Sequence, residues 1–189
     1  MLEHKHTCLF YRSKDEVTEV AVPFLQSGLA NHEFCLWVVP EIFSKEEAIT
    51  ALSRAVGPLE PYFQSGQLEI GTEMDYYLKS GTFTAYEMME YWDEKEKEIL
   101  SRGFTGISIV GDGGWGADEH WINLLCYEQD IDNTIDGRKI KAVCTYRIDC
   151  FDITKIIAIG HAHHTSLVKG PHQWNNFHPK DFRNVRMQS

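Results

Sequence analysis

The 189-residue chain is 43% apolar and carries five Trp and ten Phe, enough to fill one sizeable core and too little to suggest a second domain. Its formal net charge of -10 opposes a phosphate backbone, and no apolar run approaches the roughly 20 residues that a membrane span needs, so neither nucleic acid nor a bilayer is an expected partner. Five cysteines, an odd number without a C-x-x-C pair, point to reduced thiols, and the opening MLEHKHTCLF lacks a basic-then-apolar signal pattern, so a cytoplasmic protein is expected.

HTCLFY (6–11) reads as a buried strand, and SKDE (13–16) follows as a capping box that starts a helix at Lys14. That helix presents Val17, Val20, Ala21, Phe24 and Leu25 on one face; Pro23 predicts a kink and Gly28 a terminator. FCLWVV (34–39) is a continuous apolar run, as expected for a strand covered on both faces. SKEE (44–47) opens a second helix carrying Ile49, Leu52 and Val56, which stops near Gly57 and Pro58. QLEIG (67–71) predicts a strand, and TAYE (84–87) opens a helix with Met88, Met89, Trp92, Ile99 and Leu100 toward the core. FTGISIVG (104–111) reads as a strand, residues 118–131 as a helix, KIKAVCTY from Lys141 on as a strand, residues 152–163 as a helix, and SLVK (166–169) as a short last strand. Strands separated by helices predict a three-layer α/β domain, a mostly parallel central sheet with helices on both faces. Residues 1–170 form this domain and 171–189 a C-terminal tail, in which Trp174 and Phe177, with help from Phe182, are expected to act as anchors; Lys180, Arg183 and Arg186 outweigh Asp181 there.

Ligands of such sheets sit beyond the carboxyl ends of the strands, which directs attention to the residues that follow each one. The turn after the first strand, YRSKDEV, has no glycine, so the amide nest of a triphosphate loop is missing, and no G-x-G-x-x-G or G-x-S-x-G occurs. GDGGWG (111–116) is either a turn into the next helix or a ligand-lining loop, and Asp112 and Asp118 would oppose an anion there. Cys144 and Tyr146 share one strand face, next to the expected return of His163; a thiol, a phenol and an imidazole around a void suit a small, weakly polar ligand. Glu128, if its helix turns it inward, needs a partner. His161, His163 and His164 end the last helix, where they could simply complement its dipole; with Cys144 they are also the candidate metal ligands, and zinc is the ion such a mixture accepts. His4 and His6 alternate on the N-terminal segment and could join them.

Taken in order, HTCLFYRSKDEVTEVAVPFLQSGLANHEFCLWVV, SGQLEIG, YLKSGTF, GDGGW, LLCYEQDI, VCTYRIDCFD and GHAHHTSLVKG resemble the MEDS family, the sensory domain named for methanogens, methylotrophs and the dichloromethane-responsive regulator. The resemblance runs over roughly residues 4–170. It implies a RecA/KaiC-like core that has lost its ATP-binding loop and a non-catalytic small-molecule sensor, with hydrocarbon derivatives as proposed ligands; no cofactor is expected beyond the zinc that the histidines and Cys144 could take. By position it implies ligand-binding roles for Glu33, Trp115, Glu128, Cys144, Tyr146 and His163. Asp112 stands where the family tends to have glutamate, and His163–His164 where it tends to have His–Pro. With no output module in the chain, the signal would pass to a separate signalling protein, and a homodimer is expected. The competing readings are a metal- or thiol-dependent enzyme built on Cys144, His163 and His164, and a ligand-free interaction module derived from an ATPase-like core.

Overall fold

The computed structural model describes residues 5–79 and 81–178. Strand β1 (His6–Tyr11) leads into α1 (Lys14–Ala30), β2 (Phe34–Val38), α2 (Lys45–Val56), a short α3 (Glu60–Gln64), β3 (Leu68–Gly71), a single turn α4 (Glu73–Tyr76) and α5 (Ala85–Ser101). The second half adds β4 (Ile107–Asp112), α6 (Trp121–Thr134), β5 (Ile140–Arg147), α7 (Ile153–His161), β6 (Thr165–Lys169) and β7 (Trp174–Phe177). The sheet order is β3-β2-β4-β5-β1-β6-β7; every pairing is parallel except that of β7, which runs antiparallel to β6. Because successive side chains point to opposite faces, each central strand divides its residues between two cores. Leu9, Tyr11, Trp37, Val110 and Val143 pack with α1 and α2, whereas Cys8, Phe10, Leu36, Ile109, Ala142, Cys144 and Tyr146 pack with α5, α6 and α7. Burial on both sides is why β2 reads as an unbroken apolar run.

The capping signatures mark the helix starts. Ser44 and Glu47 form a reciprocal box, and the Ser13 and Thr84 side chains accept from the amides of Glu16 and Glu87. In the first case the box is only half closed, since Glu16 accepts from the Arg12 amide instead of Ser13's. Gly28 does not end α1, which runs through Pro23 to Ala30 and is capped at Asn31. Its role is close approach: a Cβ there would come within 2.7 Å of Cys35 Sγ and 2.9 Å of the Ser108 side chain. Leu52 and Ile99 are buried as expected, whereas Leu100, expected inward, and Ile49 are exposed, and Ala48 is buried beside Leu52. The helix expected from Asp118 begins at Trp121, because Gly114–Gly116 first form a 3-10 turn.

The sheet extends into the segment set apart in sequence as a tail. β7 pairs along β6, and Trp174 Nε1 donates to Glu19 on α1, which also pairs with Lys169. Phe182 and the basic residues Lys180, Arg183 and Arg186 lie outside the described residues, as does His4. Among the described residues no helix is long and apolar enough to cross a membrane.

Candidate functional site

Five buried polar side chains meet on the α6 face of the sheet. His6 opens β1, Cys144 and Tyr146 lie on β5 in register with Cys8 and Phe10, Glu128 points down from α6, and His163 stands between α7 and β6. Glu128 is the hub. Tyr146 Oη donates to Glu128 Oε1 at 2.6 Å, His6 Nε2 lies 3.1 Å from Oε2, and His163 Nε2 lies 3.3 Å from the same oxygen. Cys144 Sγ is 3.6 Å from His6 Nε2, and the two imidazoles stack with centroids 4.0 Å apart. Tyr146 is fixed from its other side by Gly113, where a Cβ would overlap the phenol ring.

Proton positions follow from the surroundings. His163 Nδ1 is 2.7 Å from the Ile159 carbonyl, which can only accept, so Nδ1 carries the hydrogen and Nε2 keeps a lone pair, without a hydrogen bond to Glu128. Burial, and then the charge on His6, hold His163 below the ordinary imidazole range, consistent with a neutral ring. For His6, burial opposes the charged form, but bonds to Asp132 and Glu128 outweigh it and the pKa is raised; His6 Nδ1 lies 3.0 Å from Asp132 Oδ1. Burial pushes Glu128 upward and His6 favours the carboxylate, while His163, whose hydrogen sits on Nδ1, has none on Nε2 to give; the carboxylate is held by His6 and Tyr146. His6 thus lies between two carboxyl groups, with the second imidazole stacked against it.

Burial, followed by the charge of Glu128, pushes the Cys144 thiol well above its ordinary value. A thiol in that state is protonated at neutral pH and is a poor nucleophile. Beside Cys144, between α5, α6 and the sheet, lies a void of about 30 Å³ walled by Tyr77, Trp92, Ile109 and Tyr127.

Asp112 and Trp115 do not join this centre. They form a second assembly at the carboxyl edge of the sheet, in a cleft of about 90 Å³ that also contains Glu41, Glu73 and Arg147. Asp112 is buried, which is the main reason its pKa rises to about 7; the Gly114 amide works against the rise and Glu73 adds to it. Trp115 donates to the Asp112 carbonyl at 2.8 Å and stacks on Tyr77. Glu33 lies at the opposite, amino edge, where it accepts from Ser108 at 2.5 Å and pairs with Lys141 at 2.9 Å. Of the histidines at the end of α7, His164 Nε2 is 3.6 Å from Asp132 and His161 is exposed along an apolar groove with Ile156 and Ile157. The expected metal group of His161, His163, His164 and Cys144 is therefore not assembled as such. Cys144 and His163 come together, but with His6 and Glu128. The residues expected at the carboxyl edge divide: Asp112 and Trp115 lie there, whereas Glu128, Cys144, Tyr146 and His163 meet beneath α6. Asp132 was missed altogether; its signal was its spacing, one helical turn after Glu128 and on the same face.

The fold and centre define a class: a RecA/KaiC-like α/β core with no phosphate loop after β1 and a buried polar hub beneath α6. Residues 5–164 match the family described as the MEthanogen/methylotroph, DcmR Sensory domain, and the chain belongs to that family of sensory domains. No curated protein matches it in sequence. Among solved structures it is similar in fold to the flagellar accessory protein FlaH from Methanocaldococcus jannaschii, with a TM-score of 0.56 and 10% identity over 92% of this chain and 76% of that one. It is also similar to the uncharacterized protein PH0321 from Pyrococcus horikoshii, in complex with an unknown peptide, with a TM-score of 0.57 and 10% identity over 93% of this chain and 83% of that one.

Proposed function

We propose that this chain is a non-catalytic sensory domain that binds a small molecule at the Glu128 centre and the void beside Cys144, and passes occupancy to a separate signalling protein. The observation that carries the reading is the convergence of His6, Tyr146 and His163 on one carboxylate with 2% exposure. Such a network is costly to bury and is conformationally specific, so a small change in one partner has to be answered by the others. The neighbouring void has apolar and aromatic walls with Cys144 at one side, which suits a compact, weakly polar molecule such as a hydrocarbon derivative of very few heavy atoms. Such an occupant would reach the network through Cys144. We further propose that the domain works in the cytoplasm as a homodimer; a single monomeric species across micromolar concentrations in sedimentation would remove the dimer.

The test is native mass spectrometry with thermal shift across a panel of one- to three-carbon halogenated and hydroxylated compounds, on wild type and on Glu128→Gln. A compound that stabilises the wild type and loses its effect in the variant supports the reading. A panel without any binder, or binding that Glu128→Gln leaves untouched, overturns it.

A further inference from the structure

We propose that His6 Nε2, His163 Nε2, Cys144 Sγ and Glu128 Oε2 form a four-donor site for a divalent metal ion of the zinc class. This deepens the reading of the Glu128 centre as the receiving site and rests on it for its biological purpose, but the chemistry stands on the donors themselves. All four are buried, and the donor atoms lie within 4.8 Å of one another. Three of the six donor separations are close to those the ion sets, and the stacked His6 and His163 rings have to swing apart for both lone pairs to reach it: zinc bonds of about 2.0 Å to nitrogen or oxygen and about 2.3 Å to sulfur, at a tetrahedral angle, leave nitrogen and oxygen about 3.3 Å apart and nitrogen and sulfur about 3.5 Å apart. The observed spacings are 3.1 and 3.3 Å from the two imidazole nitrogens to Glu128 Oε2, and 3.6 Å from His6 Nε2 to Cys144 Sγ.

Three of the donors have the outer partner that a metal ligand characteristically keeps. His163 gives its Nδ1 hydrogen to the Ile159 carbonyl, which turns a lone pair toward the centre; His6 Nδ1 faces the Asp132 carboxylate; Glu128 Oε1 is held by the Tyr146 hydroxyl, leaving Oε2 for the ion. The lone pair of His163 is the most telling of these. It is fully buried, has no hydrogen-bond partner, and faces Glu128 Oε2 across 3.3 Å, a contact of lone pairs that a cation between the two atoms converts into attraction. When the ion enters, the Cys144 thiol hydrogen and any hydrogen on His6 Nε2 leave as protons to solvent. The mixture of two imidazoles, a thiolate and one carboxylate favours zinc or cobalt over magnesium or calcium, which take oxygen donors.

The chain should be expressed without a polyhistidine tag in minimal medium supplemented with Zn2+ or with Co2+, then desalted and analysed for bound metal by mass spectrometry, with an electronic spectrum of the cobalt form. The expected result is about one ion per chain and a thiolate-to-cobalt charge-transfer band with the strong visible bands of four-coordinate cobalt. Clearly substoichiometric metal in both preparations overturns the proposal. So does a Cys144→Ser protein whose cobalt spectrum equals that of the wild type, because the thiolate would then be another cysteine. Should Cys144→Ser fail to fold by circular dichroism, Asp132→Asn decides: it keeps all four donors and is expected to weaken metal binding about 10- to 100-fold in competition with a chromophoric chelator. Unchanged affinity overturns the site. Repeating the small-molecule panel on metal-free and metal-loaded protein separates the two readings. Metal without any small-molecule binder keeps this site and removes the sensory receiver, while a binder on protein that never takes up metal does the reverse.

Discussion

Replacing Tyr146 by phenylalanine isolates one strand of the Glu128 network. The ring keeps its place against Gly113, Phe10 and Phe151, so packing is preserved and only the hydroxyl is lost. That hydroxyl donates to Glu128 Oε1 at 2.6 Å, with Tyr146 wholly buried and Glu128 at 2% exposure, so no water is at hand to replace it. A hydrogen bond to a charged group contributes about 1.5–3 kcal/mol, and leaving the carboxylate oxygen without its donor places the expected loss in the upper part of that span. For a chain of this size the loss corresponds to a midpoint lowered by roughly 4–10 °C. Urea unfolding at pH 7 measures it, with an unchanged slope expected because the exposed surface is the same. The decisive form is a double-mutant cycle with Glu128→Gln, in which the coupling between the two positions should be at least about 1 kcal/mol. A Tyr146→Phe loss below about 0.5 kcal/mol, or a cycle that sums to zero, would show that the hydroxyl and the carboxylate do not meet.

Three further expectations test other parts of the structure. Asp112 has its pKa raised to about 7, from an ordinary value near 3.8, chiefly by burial, so the folded state binds its proton more tightly than the unfolded chain does; its contribution is present at pH 4 and is lost as pH rises through 7, at most about 4 kcal/mol, and Asp112→Asn should flatten that fall in a pH series of unfolding curves. A series in which wild type and variant fall in parallel would mean that Asp112 is solvated. Gly28→Ala places a methyl group against Cys35 and Ser108, and the overpacking, about 1–3 kcal/mol, should exceed the gain in helix propensity of about 1 kcal/mol, giving a net loss in chemical denaturation; a stabilised variant would show that α1 has room to move off the sheet. Finally, Cys126 and Cys150 are exposed whereas Cys8, Cys35 and Cys144 are buried, so a disulfide reagent at pH 7.5 should titrate two thiols rapidly in the native protein and all five in denaturant. Rapid native modification of Cys144, located by peptide mapping, would refute the closed, protonated centre.

The legible part of the fold was the part written in local pattern. Largely apolar segments marked β1, β2, β4 and β5, and Ser or Thr three residues before Glu marked the starts of α1, α2 and α5, because residue type and capping are properties of a few neighbours in the chain. The four-residue β7 was not legible, since WNNF has no alternation and becomes a strand by pairing with β6. Gly28 misled for a related reason: a glycine that ends a helix and a glycine that admits a sheet look alike until the neighbour is seen.

The site divides in the same way. Sequence alone determined the layered α/β class, the absence of a phosphate loop and the ordered motifs that place the chain in its family, and it singled out Glu128, Cys144, Tyr146 and His163. It could not decide that Glu33 sits at the far edge, that Asp112 and Trp115 belong to a different cleft, or that His6 and Asp132 complete the centre. Those facts depend on strand order, which lays β1 beside β5 and β6 and so brings residue 6 within hydrogen-bonding reach of residue 128. Residue chemistry is carried by the local sequence, but which groups share a desolvated volume, and therefore hold each other's protons, is fixed by pairings more than a hundred residues apart.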